Sequence, residues 1–325
     1  MAPNGRRARI CRYSGIGGQA VLEGIMMKNK EKYAVAVRRP DGGISVDVDN
    51  YPGILKGSKM TEIPFIRGIF NFIDSLVLGM KCLNFSASFY EEEEGGEQKP
   101  KNETGEKLLS ALVTCFAVVL ALGIFIVLPY YLTSLLKNSL RNQSLMAIIE
   151  GVMRILIFIL YVGGISLMKD IRRLYRYHGA EHKCINCIEK GRPLTVPNVM
   201  RSSRLHKRCG TSFIFFVFLV SIILFFFIRV ENPVARVGIR ILLMPVVAGI
   251  SYEIIRLAGR SDNILVRIIS APGMAIQRMT TKEPDESMAE VAIAAVEAVF
   301  DWKQYLKDNF GYETEDSDSE EQTDA

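Results

Sequence analysis

The sequence predicts a mainly α-helical, polytopic membrane protein with about four transmembrane helices, an interfacial helix and a small cytoplasmic β-hairpin region. Three observations carry that expectation. First, the apolar runs 108–128, 145–168, 213–228 and 237–258 reach or approach the roughly 18 to 25 residues that cross a bilayer. Second, lysine and arginine alternate between the connections: 16 precede the first run, 2 follow it, 11 lie in 169–211 and 2 separate the third run from the fourth. Short loops rich in these residues stay in the cytoplasm, so both termini and loop 169–211 are expected there. Third, all 3 histidines and three of the 6 cysteines fall between His178 and Cys209. Such crowding points to a metal.

Five regions follow: a cytoplasmic segment 1–90, an acidic linker 91–107, the four-helix bundle 108–258 with its His/Cys loop 169–211, an amphipathic cytoplasmic segment 259–310, and an acidic tail 311–325. Residues 1–12 contain no apolar core, so no cleavable signal peptide is expected. The net charge of +5 is accounted for by topology. No aromatic-and-basic recognition module accompanies it, and direct nucleic-acid binding is not expected. In a reducing cytoplasm Cys184, Cys187 and Cys209 read as metal ligands or free thiols, while Cys115 lies in a span and Cys11 and Cys82 are isolated.

Taken in order, the stretch 15–27 (GIGGQAVLEGIMM) has glycines that allow tight backbone or close approach, with Glu23 as its one acid. Alternating residues in 32–39 and 44–48 flank Pro40-Asp41-Gly42-Gly43, a hairpin signal. An isolated hairpin is unstable, so this one should pack on later helices. Segment 64–83 has helical apolar spacing but carries Arg67, Asp74 and Lys81, which favours a helix in the interface over a further span. Glu150 and Arg154 form an i, i+4 pair near the start of the second run, expected at the outer interface with Arg154 snorkelling.

The second apolar helix, continued past Met168, would carry straight into His178-Gly179-Ala180-Glu181-His182. His178 and His182 then share one face, and the His-x-x-Glu-His spacing suits two imidazole ligands with Glu181 as general base. Further on, Cys184-x-x-Cys187 and His206-x-x-Cys209 resemble the two knuckles of a closed structural zinc site. An open site and a closed one are both available. For the open site the third ligand is His206, Cys209, or Glu253 near the end of the fourth run. Residues 270–274 (SAPGM) are expected to break the chain, and 286–306 to form an amphipathic cytoplasmic helix.

The blocks GGQAVLEGIMM, YHGAEHK, RCGTSF, VAGISYEIIR and APGMAIQRMTTKEPDESMAEVAIAA resemble the YqhQ-like family of bacterial membrane proteins, a domain of unknown function often labelled a predicted metal-dependent enzyme. The resemblance runs from Gly15 to about Leu306 and implies a bacterial inner membrane. It carries over to His178, Glu181, His182, His206 and Cys209, whereas the position of Cys184 is often not cysteine in the family. The preferred metal set is therefore His178, His182, His206 and Cys209, with Glu181 catalytic and Zn²⁺ the expected ion. Mixed imidazole and thiolate donors also accommodate iron or copper.

Two functions compete. One is a metal-dependent hydrolase of a membrane-associated substrate, with Arg172, Arg173, Arg176, Arg201, Arg204, Lys207 and Arg208 holding anionic lipid headgroups or a phosphate. The other is a non-catalytic membrane scaffold with a structural metal, docking a membrane-protein partner such as the insertion machinery. A transporter fits poorly, because the spans hold few charges and show no repeat.

Overall fold

A computed structural model describes residues 12–56, 58–91, 103–136, 142–228, 230, 232–260 and 263–312. Cys11, linker residues 92–102 and tail residues 313–325 lie outside the described residues.

The chain opens with an antiparallel meander, β1 (Gly17–Val21), β2 (Gly24–Asn29), β3 (Lys32–Arg38) and β4 (Ile44–Asn50), in that order across the sheet. The expected hairpin is β3–β4, with Arg38 opposite Ile44. Strands β1 and β2 were not expected, for two physical reasons. Their turns, Leu22-Glu23 and Lys30-Glu31, carry neither glycine nor the usual Asn-Gly signal, and Glu23 and Lys30 adopt the left-handed backbone themselves (φ 50° and 54°). In addition, Gly24 to Met27 are all buried, so β2 shows no polar alternation.

Helix α1 (Ile66–Glu91) replaces the expected interfacial segment and is longer. Its three charges turn to different partners: Arg67 pairs with Glu253, Asp74 accepts from Tyr51 Oη (3.0 Å) and Ile54 N (2.8 Å), and Lys81 donates to Asp49 (2.9 Å). By length and composition it is not among the helices able to cross a membrane.

Among the described residues four helical stretches are long and apolar enough to do so: Ala111–Ser134, Ser144–Ile165, Gly210–Phe227 and Val234–Gly259. The chain is a membrane protein. The first stretch joins α2 (Glu103–Leu122) to α3 (Leu128–Ser134) through a π turn at Gly123–Val127. Pro129 has no N–H to offer the preceding turn, which accounts for the wider loop there. The others lie in α4 (Gln143–Ile165), α7 (Gly210–Phe227) and α8 (Pro233–Arg260). Glu150 and Arg154 do pair (3.1 Å), but neither snorkels: they are 5% and 4% exposed, enclosed by α7 and α8.

Three further boundaries differ from expectation. Helix α4 stops at Ile165, and extended Met168 (ψ 136°) starts a separate helix, α5 (Lys169–Glu189). Helix α9 (Ile264–Thr280) runs through Pro272 without breaking, with Gly273 against Ser212 of α7. The predicted C-terminal helix is two, α10 (Glu286–Val299) and α11 (Trp302–Phe310), because Asp301 leaves the helix to cap Gln304 N.

Segments far apart in sequence share one core. Ile25, Met27, Ala34 and Ala36 of the sheet, Ala180, Cys184 and Ile188 of α5, and Ala289, Ala292 and Val296 of α10 are packed together. The small residues of α10 let it lie close on β2 and β3. Helix α10 is thus a buried element of this core rather than a free amphipathic surface helix. Glu23 completes the join by pairing with Arg173 and accepting from Tyr177 Oη (3.2 Å), so the first turn of the sheet is fastened to α5.

Candidate metal centre

Helix α5 carries His178, Glu181 and His182, whose i, i+3 and i+4 spacing puts them on one face. Cys209 arrives from elsewhere, at the N-cap of α7 in extended conformation (φ −86°, ψ 146°). One ligand atom from each of His178, His182 and Cys209 falls within 4.8 Å of the others. Cys209 Sγ lies 3.2 Å from His178 Nε2. A Glu181 carboxyl oxygen lies 3.8 Å from His178 Nε2 and 3.7 Å from His182 Nε2. Together they line a cavity of about 110 Å³ roofed by Ile16, Gly17 and Gly18.

The imidazoles are oriented from behind. His178 Nδ1 donates to the Thr280 carbonyl (3.0 Å) and His182 Nδ1 to the Arg204 carbonyl (2.7 Å). A carbonyl can only accept, so both Nδ1 atoms carry hydrogen, and in the neutral rings the Nε2 lone pairs face the cavity. Backbone acceptors of this kind hold histidine ligands in metalloproteins. Two imidazoles and one thiolate suit zinc, and three protein ligands leave a fourth position open. The donor set therefore fits the expected ion.

Burial favours the neutral forms of these groups. Close pairing outweighs it: the imidazoles of His178 and His182 hold the Cys209 thiol well below its usual range. In turn Cys209, with Glu181, raises His178 to about 9.

Two short-range features make the geometry possible. A side chain at Gly18 would meet Met26 O at 2.6 Å and Glu181 Cγ at 3.0 Å, so only glycine lets β1 close over Glu181. At Gly179 a Cβ would lie 2.0 Å from Lys282 O, where residues 280–284 press on α5 and bring the Thr280 carbonyl to His178.

The other expected ligands are placed differently. His206 also lines the cavity, its ring 5.8 Å from that of His182, but its Nε2 faces Glu189 at 3.3 Å. Cys184 and Cys187 are buried in the α5–α10 core, where burial raises both thiols, Cys187 to about 11. The closed four-ligand site is not assembled. Glu253 is engaged by Arg67 Nε (2.6 Å), because α1 lies against α8 and takes its carboxylate. Among the basic residues, Arg173, Arg176, Arg204 and Arg208 are paired with Glu23, Asp285, Glu283 and Glu189.

Sequence reasoning missed the supporting groups. Glu189 accepts from Ser14 and holds His206 and Arg208; burial alone would raise its carboxyl, but these partners bring it to about 2. Gln277, fully buried, bonds both the N–H and the carbonyl of His206 and so fixes the loop leading to Cys209. Nothing in local pattern marks these two; only the Gly17-Gly18 pair carried a readable sign of close approach.

A small sheet closing a His-His-Cys pocket beside four membrane-length helices defines a helical membrane protein with a sheet-covered candidate metal centre. The chain belongs to the family described as protein of unknown function (DUF1385), which matches residues 63–302. It is 36% identical over 286 residues to the uncharacterized protein YqhQ of Bacillus subtilis (strain 168), covering 85% of this chain and 89% of that protein. No solved structure matches it.

Proposed function

We propose that the chain is a multi-pass protein of the bacterial cell membrane, both termini cytoplasmic, and a zinc-dependent hydrolase of a membrane-associated substrate. The convergence of His178, His182 and Cys209 around a cavity that Glu181 also lines carries this reading. His178, His182 and Cys209 would hold a zinc ion, which when bound would supply Lewis acidity and lower the pKa of a nearby water towards about 7. Glu181 receives the water's proton and returns it to the leaving group. The Thr280 and Arg204 carbonyls keep both imidazoles aimed inward throughout.

A route for the substrate supports the membrane-associated class. Gly17 and Gly18 also border a groove of about 490 Å³ that reaches Asn71 of α1 and Tyr252 of α8, with Lys28 and Lys30 at its sheet side. Tyr252 lies in a membrane-length stretch. An extended amphiphile could lie in this groove, whose walls carry Asp74 as well as Lys28 and Lys30, and present its polar end at the glycine roof.

A second reading is favoured by one contact. Cys209 Sγ and His178 Nε2, 3.2 Å apart, form the thiol–imidazole pair of a cysteine nucleophile. Elemental mass spectrometry on protein purified under reducing conditions separates the readings. The hydrolase account predicts about one zinc per chain. The metal is lost in His178→Ala, His182→Ala and Cys209→Ser and kept in Glu181→Gln, Cys184→Ser and His206→Ala. Metal-free wild type with an alkylatable Cys209 would favour the nucleophile. A bound metal with Glu181→Gln fully functional in cells would favour the scaffold.

A further inference from the structure

The sheet ends in two edge strands, β1 and β4, and only one of them is guarded. Strand β4 carries Asp47 and Asp49, and charged side chains on an edge keep a foreign strand from pairing there. Strand β1 (GGQAV) carries no charge, and Gly17, Gly18 and Gln19 are exposed. A glycine has no side chain, so the surface exposed at Gly17 and Gly18 is main chain.

The pairing register fixes which main-chain groups face outward. Arg38 N–H donates to the Glu23 carbonyl (2.8 Å), so the next residue, Gly24, turns its own N–H and carbonyl towards Val21 of β1. Alternation along β1 then turns the main chain of Gly18, Ala20 and Leu22 away from β2. At one end Leu22 N–H donates to Ser86 Oγ (3.1 Å), and ahead of the strand the Ile16 carbonyl accepts from Arg208 Nη1 (3.4 Å). Between these capped ends, the N–H and carbonyl groups of Gly18 and Ala20 have no partner among the described residues.

The free stretch lies at the metal centre. Gly18 lines that cavity, and a Cβ there would come within 3.0 Å of Glu181 Cγ. A Cβ at Gly17 would meet nothing within 4 Å, so packing inside the chain does not call for glycine at that position. Gly17, Gly18 and Gln19 also border the groove that reaches Asn71 and Tyr252.

We propose that β1 is a substrate-pairing strand and that the substrate is a polypeptide segment in extended conformation, added to the sheet along Gly18 and Ala20. This rests on the hydrolase reading and identifies its extended amphiphile as a peptide chain. Alternating N–H and carbonyl groups are what an extended peptide offers to an open edge and what an acyl chain lacks. The substrate residue opposite Gly18 brings its carbonyl to Glu181. Water adds to that carbonyl carbon and gives its proton to Glu181. The C–N bond breaks, the proton passes to the departing nitrogen, and a carboxylic acid and an amine are left. Water is the one co-reactant, and nothing is oxidised or reduced.

The test uses the full chain in detergent, immobilised and carrying Glu181→Gln to block turnover. It is challenged with fluorescein-labelled random-sequence peptides of about six residues, an ordinary strand length, and with the same pool N-methylated at every amide. The plain pool should be retained saturably, and N-methylation should weaken retention at least about tenfold, because a methylated amide donates no hydrogen bond. Ala20→Pro in that background removes an N–H that the fold does not use, and should weaken retention at least about tenfold at unchanged zinc content. No retention, or retention that neither N-methylation nor Ala20→Pro alters, would overturn the pairing strand and leave the metal reading untouched. Retention with both dependences on a chain that holds no zinc would support the pairing strand and count against the hydrolase.

Discussion

At the scale of single residues, Glu189 shows how the pocket depends on groups that never face it. It is buried, accepts from Ser14, and neutralises Arg208 while holding His206, which connects the start of the sheet to the loop before Cys209. Its carboxyl lies at about 2 in the folded protein against an ordinary 4.5, a depressed value. The ionised form is therefore stabilised by folding: the contribution is complete above pH 4.5 and is lost as pH falls towards 2. Wild type should lose about 3 kcal/mol more than Glu189→Gln across that interval, as followed by denaturant unfolding in detergent at stepped pH. Parallel profiles for the two proteins would show that the pairing does not control the loop. In the sequence, His178, Glu181 and His182 could be placed together because helical periodicity alone sets their face. The partner from outside α5 could not, since choosing among His206, Cys209, Glu253 and Cys184 requires knowing that Glu189, Arg67 and the α10 core claim three of them.

At the scale of elements, the site is a contact between α5, the N-terminus of α7 and the 280–284 segment, with β1 as roof. Gly179 sets how near that segment comes. Gly179→Ala puts a Cβ 2.0 Å from Lys282 O and pushes the Thr280 carbonyl away from His178 Nδ1. The chain should remain folded, destabilised by about 1–3 kcal/mol. Zinc affinity should fall by about tenfold or more, although no ligand has changed. Competition with a chelator measures this, and unchanged affinity would mean that the carbonyl does not hold the ring. Helices α4, α7 and α8 were legible because length and apolarity suffice. Strands β1 and β2 and the division of α10 from α11 were not. The former hide behind continuous burial and turns without glycine, and the latter depends on a cap at Asp301 inside an otherwise helical run.

At the scale of the molecule, the loop before α7 meets the end of α8, with Arg208 against Gly259, beside the common core formed by the sheet, α5 and α10. The candidate metal centre sits at that junction, and the Arg67–Glu253 pair fastens α1 across α8 beside it. Charge alternation in the sequence anticipates this polarity. It does not reveal that Arg173, Arg176, Arg204 and Arg208 are engaged in internal pairs rather than offered to headgroups. We propose that three side chains, His178, His182 and Cys209, together hold one zinc ion in an open site. X-ray absorption at the zinc edge on the purified full-length protein tests it most directly. The expected spectrum has one sulfur and two imidazole nitrogens around the metal. Two or more sulfurs, or no zinc to measure, would contradict it.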